Sequence, residues 1–242
     1  NFSVGLVFIF IVGIILLATM TLLPPFMQGL MGYPVIDVGY LLAPRGVGTM
    51  FAMMLVGRLS GRVDVRILIL LGLLLTSFSM WEMTLFNTDI SSWDIVRTGI
   101  VQGLGLGFIF VPLSTITFAT LAPRYRNEGT ALFSLVRNIG SSIGISVVIT
   151  YLAQRTQMNH EVFASYITPF NAGLQQGMGT AALVTPKGLA MLNGEVTRQA
   201  SLLAYLQDFR LMMWVSLCAI PLVLLLKAPK RGGGKEALAI LE

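Results

Sequence analysis

The chain has 242 residues, of which 55% are hydrophobic and only 11% charged, with a net charge of +5. Water-soluble domains carry about 25% charged residues, and no soluble core of this size hides so much apolar surface, so a soluble fold is excluded. The basic excess forms no stripe of the kind that grips nucleic acid; it flanks apolar runs, where it sets membrane topology.

Six apolar runs follow one another along the chain: Ser3–Leu23, Val38–Leu59, Val65–Leu85, Ile95–Thr117, Thr130–Tyr151 and Leu206–Leu226. Each is close to the length of about 20 residues that crosses a bilayer as a helix. Backbone groups in hydrocarbon must be satisfied within the segment, which selects helices. Barrel strands would alternate in polarity over about ten residues, and these runs are continuous. The expectation is an all-α membrane protein, six transmembrane helices in one bundle. Residues 1–151 hold five spans, 152–205 an outward loop, 206–226 the last span and 227–242 a cytoplasmic tail. The chain opens at Asn1 without a basic n-region or a cleavage site, which reads as truncation rather than a signal peptide.

Charge in the gaps orients the spans. Arg58, Arg62 and Arg66 fill the second gap, Arg124 and Arg126 the fourth, and Lys227, Lys230, Arg231 and Lys235 the tail. The odd gaps hold only Arg155, Lys187 and Arg198, all in the long fifth gap. Nine against three places both ends of the segment in the cytoplasm. Within the fifth gap, Glu195–Gln207 has helical spacing and predicts one helix projecting outward. Leu174–Met191 is apolar enough to lie in the interface, and Gly232–Gly234 marks a flexible end.

Ionisable groups inside spans are costly and mark functional positions by default. Glu82 and Arg97 stand at one level near the outer surface and read as a pair. Arg45 and Arg137 lie about eight residues inside their spans, where snorkelling is hard; they either line a polar cavity or bond another helix. Pro44 and Pro112 each remove a backbone hydrogen bond and predict kinks. Gly99, Gly103 and Gly107 share one helix face, as do Gly140 and Gly144, and small residues at this spacing let helices approach closely. Gln102 and Asn138 add polar points that a lipid-facing surface avoids. Cys218 has no partner for a disulfide. His160 is the single histidine, so no metal site is expected, and no metalloprotease, nucleophile-elbow or phosphate-loop motif occurs. Neither an enzyme nor a cofactor is expected.

Several stretches together resemble a known family. Leu41-Leu-Ala-Pro-Arg-Gly-Val-Gly48 and Gly57-Arg-Leu-Ser-Gly-Arg-Val-Asp-Val-Arg66 are similar to the major facilitator superfamily, in its fourteen-span drug:proton antiporter branch of the EmrB/QacA type. Gln102–Pro112, Arg137–Gly144 and Gln199–Phe209 agree with it in order. The match is to the C-terminal six spans. The resemblance implies alternating access between two six-span bundles, driven by a proton gradient whose coupling acids lie in the N-terminal half. It implies export of hydrophobic or amphipathic compounds from a cell membrane, the inner membrane in a two-membrane envelope. Partners are then the bilayer, the N-terminal half and, for the EmrB type, a periplasmic adaptor and an outer-membrane channel; a QacA-like protein works alone. Arg58, Arg62, Asp64 and Arg66 resemble the family's cytoplasmic loop latch, but Gly61 stands where its aspartate belongs. Membrane depth and helix face nominate Arg45, Gln102, Arg137 and Asn138 as polar cavity contacts, with Phe26, Met27 and Phe108 beside them. Two alternatives stay open: a dedicated exporter of one metabolite on the same fold, and a non-transporting membrane partner.

Overall fold

The computed structural model describes residues 2–59, 62–119, 121–168 and 185–226. Its long elements are α1 (Phe2–Pro25), α2 (Val35–Leu59), α3 (Val65–Met83), α4 (Ser92–Phe118), α5 (Arg126–Ser165) and α6 (Pro186–Cys218). Six helices, two of them with a short terminal turn added, are long and apolar enough to cross a membrane, as the composition requires.

Local chemistry sets the ends. Asp64 caps α3 by accepting the Arg66 backbone N–H at 2.9 Å, and the Ser91 hydroxyl accepts that of Trp93 at the start of α4, at 3.3 Å. Thr185 caps α6 through Gly188, with Pro186 next, where a missing N–H costs nothing. Pro24 and Pro25 close α1, and the chain widens into a π turn, Phe26–Leu30. Prolines withhold two N–H groups from the ladder there, and such widening accompanies local loss of the regular pattern. Pro44 and Pro112, where kinks were expected, lie inside helices that run on as single elements.

Two expectations are corrected by the outward region. Helix α5 does not stop at Tyr151 but continues to Ser165, because no glycine or proline follows Gly144 to end it. Helix α6 begins at Pro186 rather than near Glu195. Two helical arms therefore project where one was expected. They are tied together by Asn159 Nδ2 donating to the Ala200 carbonyl at 3.3 Å and by His160 Nε2 against Asn193 Oδ1 at 3.0 Å. The last span is also shorter than expected. Helix α6 ends at Cys218, and Pro221 opens a tight turn, Pro221–Leu225. Gly61, residues 174–184 of the expected interfacial segment and the tail 227–242 lie outside the described residues.

Helix α2 packs along α4, and α5 along α1; α3 lies against α4 and α6, and α5 against α6. Each set of three helices thus lends its second helix to the first helix of the other, the arrangement of paired three-helix repeats. Helices α2 and α5 bury only 22% and 28% of their most apolar stretches, against 61% in α4. They flank one open side of the bundle. The core proper lies between α1, α3, α4 and α6, with Phe26 edge to face against Tyr205 and Phe209, and Phe209 against Phe86, near the loop that joins α3 and α4.

Glycines set the two closest crossings. A Cβ on Gly103 would strike the backbone carbonyl of Arg45, and one on Gly107 would lie 2.8 Å from that of Thr49. Across the other crossing, Gly140 meets the Phe10 carbonyl and Gly144 the Ile14 backbone, 2.8 Å from its Cα. Gly99, on the same face of α4, has only Arg45 Cβ at 3.8 Å. Gly103→Ala and Gly140→Ala should each destabilise by about 1–3 kcal/mol, since backbone carbonyls have nowhere to go. Gly99→Ala and Gly57→Ala, the latter facing open space, should stay within about 0.5 kcal/mol. Thermal unfolding of the four variants in detergent checks the contrast.

Candidate functional site

A cavity of about 660 Å³ opens on the side between α2 and α5. Helices α1 and α4 form its floor through Val12, Leu16, Met20, Leu106 and Phe110. Helix α2 contributes Leu42, Thr49, Met50 and Met53, and the wall is otherwise hydrocarbon and thioether. Arg45 enters it from α2 and Arg137 from α5. No aspartate or glutamate is among its lining residues.

The two arginines arrive by one device used twice. Arg45 sits where α2 presses its carbonyl onto Gly103 of α4, and Gly48, three residues on, meets the Ile100 carbonyl at 2.6 Å. Arg137 sits where α5 presses its carbonyl onto Gly13 of α1, and Gly140, three residues on, meets the Phe10 carbonyl. Ser141 Oγ donates to the Gly13 carbonyl at 3.2 Å and pins the second crossing. The sequence repeats the arrangement as Arg45-x-x-Gly48 and Arg137-x-x-Gly140. With each backbone fixed against the neighbouring helix, the side chains turn into the shared space. Arg45 is only 7% exposed, and its Nη2 has no hydrogen-bond partner among the described residues. An unmatched guanidinium nitrogen in an apolar wall is a strong site for an anionic group.

The other nominated residues fall elsewhere. Gln102 is fully buried inside the bundle, its Nε2 donating to Thr19 Oγ1 at 3.3 Å and facing Met80 Sδ at 3.9 Å. Phe26 and Met27 belong to the outer core cluster, and Phe108 to a smaller cluster with Ala52, Val56 and Leu68. Asn138 follows Arg137 but is exposed beside the cavity, not in its lining. A helix face read from spacing separates inside from outside, but not a cavity wall from the packed interior behind it.

A model of the Major Facilitator Superfamily matches residues 2–145. The chain belongs to the major facilitator superfamily. It is 29% identical over 240 residues to the fatty acid resistance protein FarB of Neisseria gonorrhoeae, covering 97% of this chain and 47% of that one. It is 24% identical over 241 residues to the multidrug export protein EmrB of Escherichia coli, covering 97% and 46%. The lincomycin resistance protein LmrB of Listeria innocua shares 26% over 152 residues, covering 63% and 32%. The chain spans about half the length, or less, of these curated relatives. Export and resistance proteins of the drug:proton antiporter branch are thus its kin, and it is a multi-pass membrane protein of a transporter family.

Within this superfamily fold, Asp64 of the latch set is occupied in capping α3; Arg58 lies in the last turn of α2, and Arg66 keeps one buried nitrogen, Nε, without a partner among the described residues. Between the end of α3 and the start of α4, Arg97 pairs with Glu82 at 2.7 Å, with Thr98 Oγ1 also donating to that carboxylate at 3.4 Å. In the projecting arms, hydrogen bonds from Arg198 and then Gln199 hold the Glu195 carboxyl below its ordinary pKa.

Asp208 is the residue that sequence reasoning passes over. It lies only two residues inside the expected start of the last span. Its side chain is fully buried, and neither carboxyl oxygen has a hydrogen-bond partner among the described residues. Helical spacing puts it with Tyr205, Phe209 and Met212 on the core face of α6, which a hydropathy run does not show. A buried carboxyl without donors costs stability, whereas removing a paired one would lose it. Asp208→Leu should therefore hold or raise the unfolding temperature of the full-length protein, with a gain of about 1–3 kcal/mol. A clear fall would reveal a donor that pairs with Asp208.

Proposed function

We propose that this chain is the C-terminal bundle of a proton-driven exporter of hydrophobic and amphipathic compounds, preferring those with an anionic head group. The observation that carries the reading is the cavity: apolar walls, two guanidiniums and no lining carboxylate. Apolar walls with soft methionines accept varied hydrocarbon shapes, and paired arginines select the charge. The names of FarB and EmrB, a fatty acid resistance protein and a multidrug export protein, accord with such cargo.

The open side flanked by α2 and α5 fits an N-terminal bundle, so that the cavity lies between two halves that rock about it. The proton gradient supplies the energy, with coupling acids in the N-terminal half. The protein then sits in the cell membrane, the inner one in a two-membrane envelope, with the basic gaps and both ends of this segment on the cytoplasmic side. In an EmrB-type assembly the projecting arms of α5 and α6 are the docking surface for a periplasmic adaptor that leads to an outer-membrane channel.

Export by the full-length protein tests this. Arg45→Ala and Arg137→Ala should each slow export of a fluorescent fatty acid by about tenfold, the loss of roughly one charge-assisted hydrogen bond. Export of a lipophilic cation should fall much less, at unchanged expression. Equal losses for both cargoes would point to a structural role for the arginines, and unchanged fatty acid export would remove the cavity from the pathway.

A further inference from the structure

A second groove, of about 280 Å³, lies between α5 and α6. Tyr151 and Arg155 line it from α5, and Gln207, Arg210, Leu211 and Trp214 from α6. Gln207, Arg210 and Trp214 follow at helical spacing and share one face of α6. Phe209 and Met212 point the other way, into the core. The groove thus faces outward from the bundle, and Trp214 is 56% exposed.

Its depth is set by its neighbours. Phe209, next to Arg210, meets Phe86 edge to face at 6.4 Å, and Phe86 lies just beyond the end of α3 at Met83. Arg210 is therefore level with the outer ends of the spans, and Trp214 is one turn deeper. Tyrosine and tryptophan with arginine at this level are the chemistry of a membrane interface. The Arg155 guanidinium stacks 4.9 Å above the Tyr151 ring, which holds it at the groove. No carboxylate lines the groove. Gln207 Oε1, by contrast, is a buried acceptor with no donor among the described residues.

We propose that this groove binds the head group of an anionic phospholipid of the phosphatidylglycerol type. The phosphate diester lies between Arg155 and Arg210, a head-group hydroxyl donates to Gln207 Oε1, and the glycerol backbone and an acyl chain run inward over Leu211 and Trp214. A choline head group offers no N–H or O–H donor to Gln207 and brings its own positive charge toward two arginines. The hydrocarbon floor favours a lipid over a free phosphate ion. The inference stands apart from the cargo of the larger cavity.

The test uses the full-length protein in nanodiscs of phosphatidylcholine containing phosphatidylglycerol, with retained lipid counted by native mass spectrometry. The wild type should retain phosphatidylglycerol selectively. R155A/R210A should weaken retention by about thirtyfold, as two surface arginines near an anionic lipid imply, while R155K/R210K keeps most of it. Gln207→Leu should reduce the preference for phosphatidylglycerol over phosphatidic acid, which lacks the head-group hydroxyl. Equal retention of phosphatidylglycerol and phosphatidylcholine by the wild type would overturn the proposal without any variant. Displacement of the lipid by millimolar inorganic phosphate would overturn it in favour of a free-anion site.

Discussion

The bundle depends on two places where backbone touches backbone. At Gly103 and Gly13 the first helix of one three-helix set has no side chain, and the second helix of the other set lies directly on it. In hydrocarbon there is no general hydrophobic force between helices, so close van der Waals packing at small residues holds them. Those contacts also fix the rotation of α2 and α5 about their own axes. Rotation decides what faces the cavity, and it sends Arg45 and Arg137 there together. Stability and site are thus the same geometric fact.

Placing an arginine at each crossing has a physical consequence. A guanidinium in an apolar wall is expensive, and Arg45 leaves one nitrogen without a partner. Such a group is tolerated where the surrounding structure over-determines it, and here two glycine contacts on each side do so. Under the proposed function, an anion entering the cavity offsets that cost. Thr49 is the sole uncharged polar side chain in the lining, and its hydroxyl is already given to the Arg45 carbonyl at 3.0 Å. In the proposed exporter, charge selection therefore rests on the arginines, and selection by size on flexible apolar side chains. By contrast Asp208, buried and unpartnered on α6, stands outside this cavity.

Much of this was legible in the sequence because the bilayer imposes simple rules. Apolar length gave the spans, and the pairing of Glu82 with Arg97 followed from their equal depth. Three of the five motifs behind the resemblance to the superfamily, Leu41–Gly48, Gln102–Pro112 and Arg137–Gly144, lie at the helix crossings. What was not legible depends on helix rotation and on length beyond the bilayer. Gln102, Phe26, Met27 and Phe108 lie on inward faces, but inward is the packed core for them and the cavity for Arg45. Hydropathy ends α5 at Tyr151, yet nothing in its next residues breaks a helix, so the arm to Ser165 had no sequence signal except the absence of glycine and proline. The repeat Arg-x-x-Gly was present in the chain all along; its meaning needed the contacts of Gly48 and Gly140.

The claim that both arginines serve one cavity is tested most directly by equilibrium binding of a long-chain fatty acid to the purified full-length protein, with Arg45→Ala, Arg137→Ala and the double variant compared in a cycle. If one carboxylate bridges both guanidiniums, the losses are coupled by more than about 0.5 kcal/mol, and the double variant binds little worse than either single one. Strictly additive losses, or no loss in one of the singles, would place the two side chains in separate environments and contradict the account.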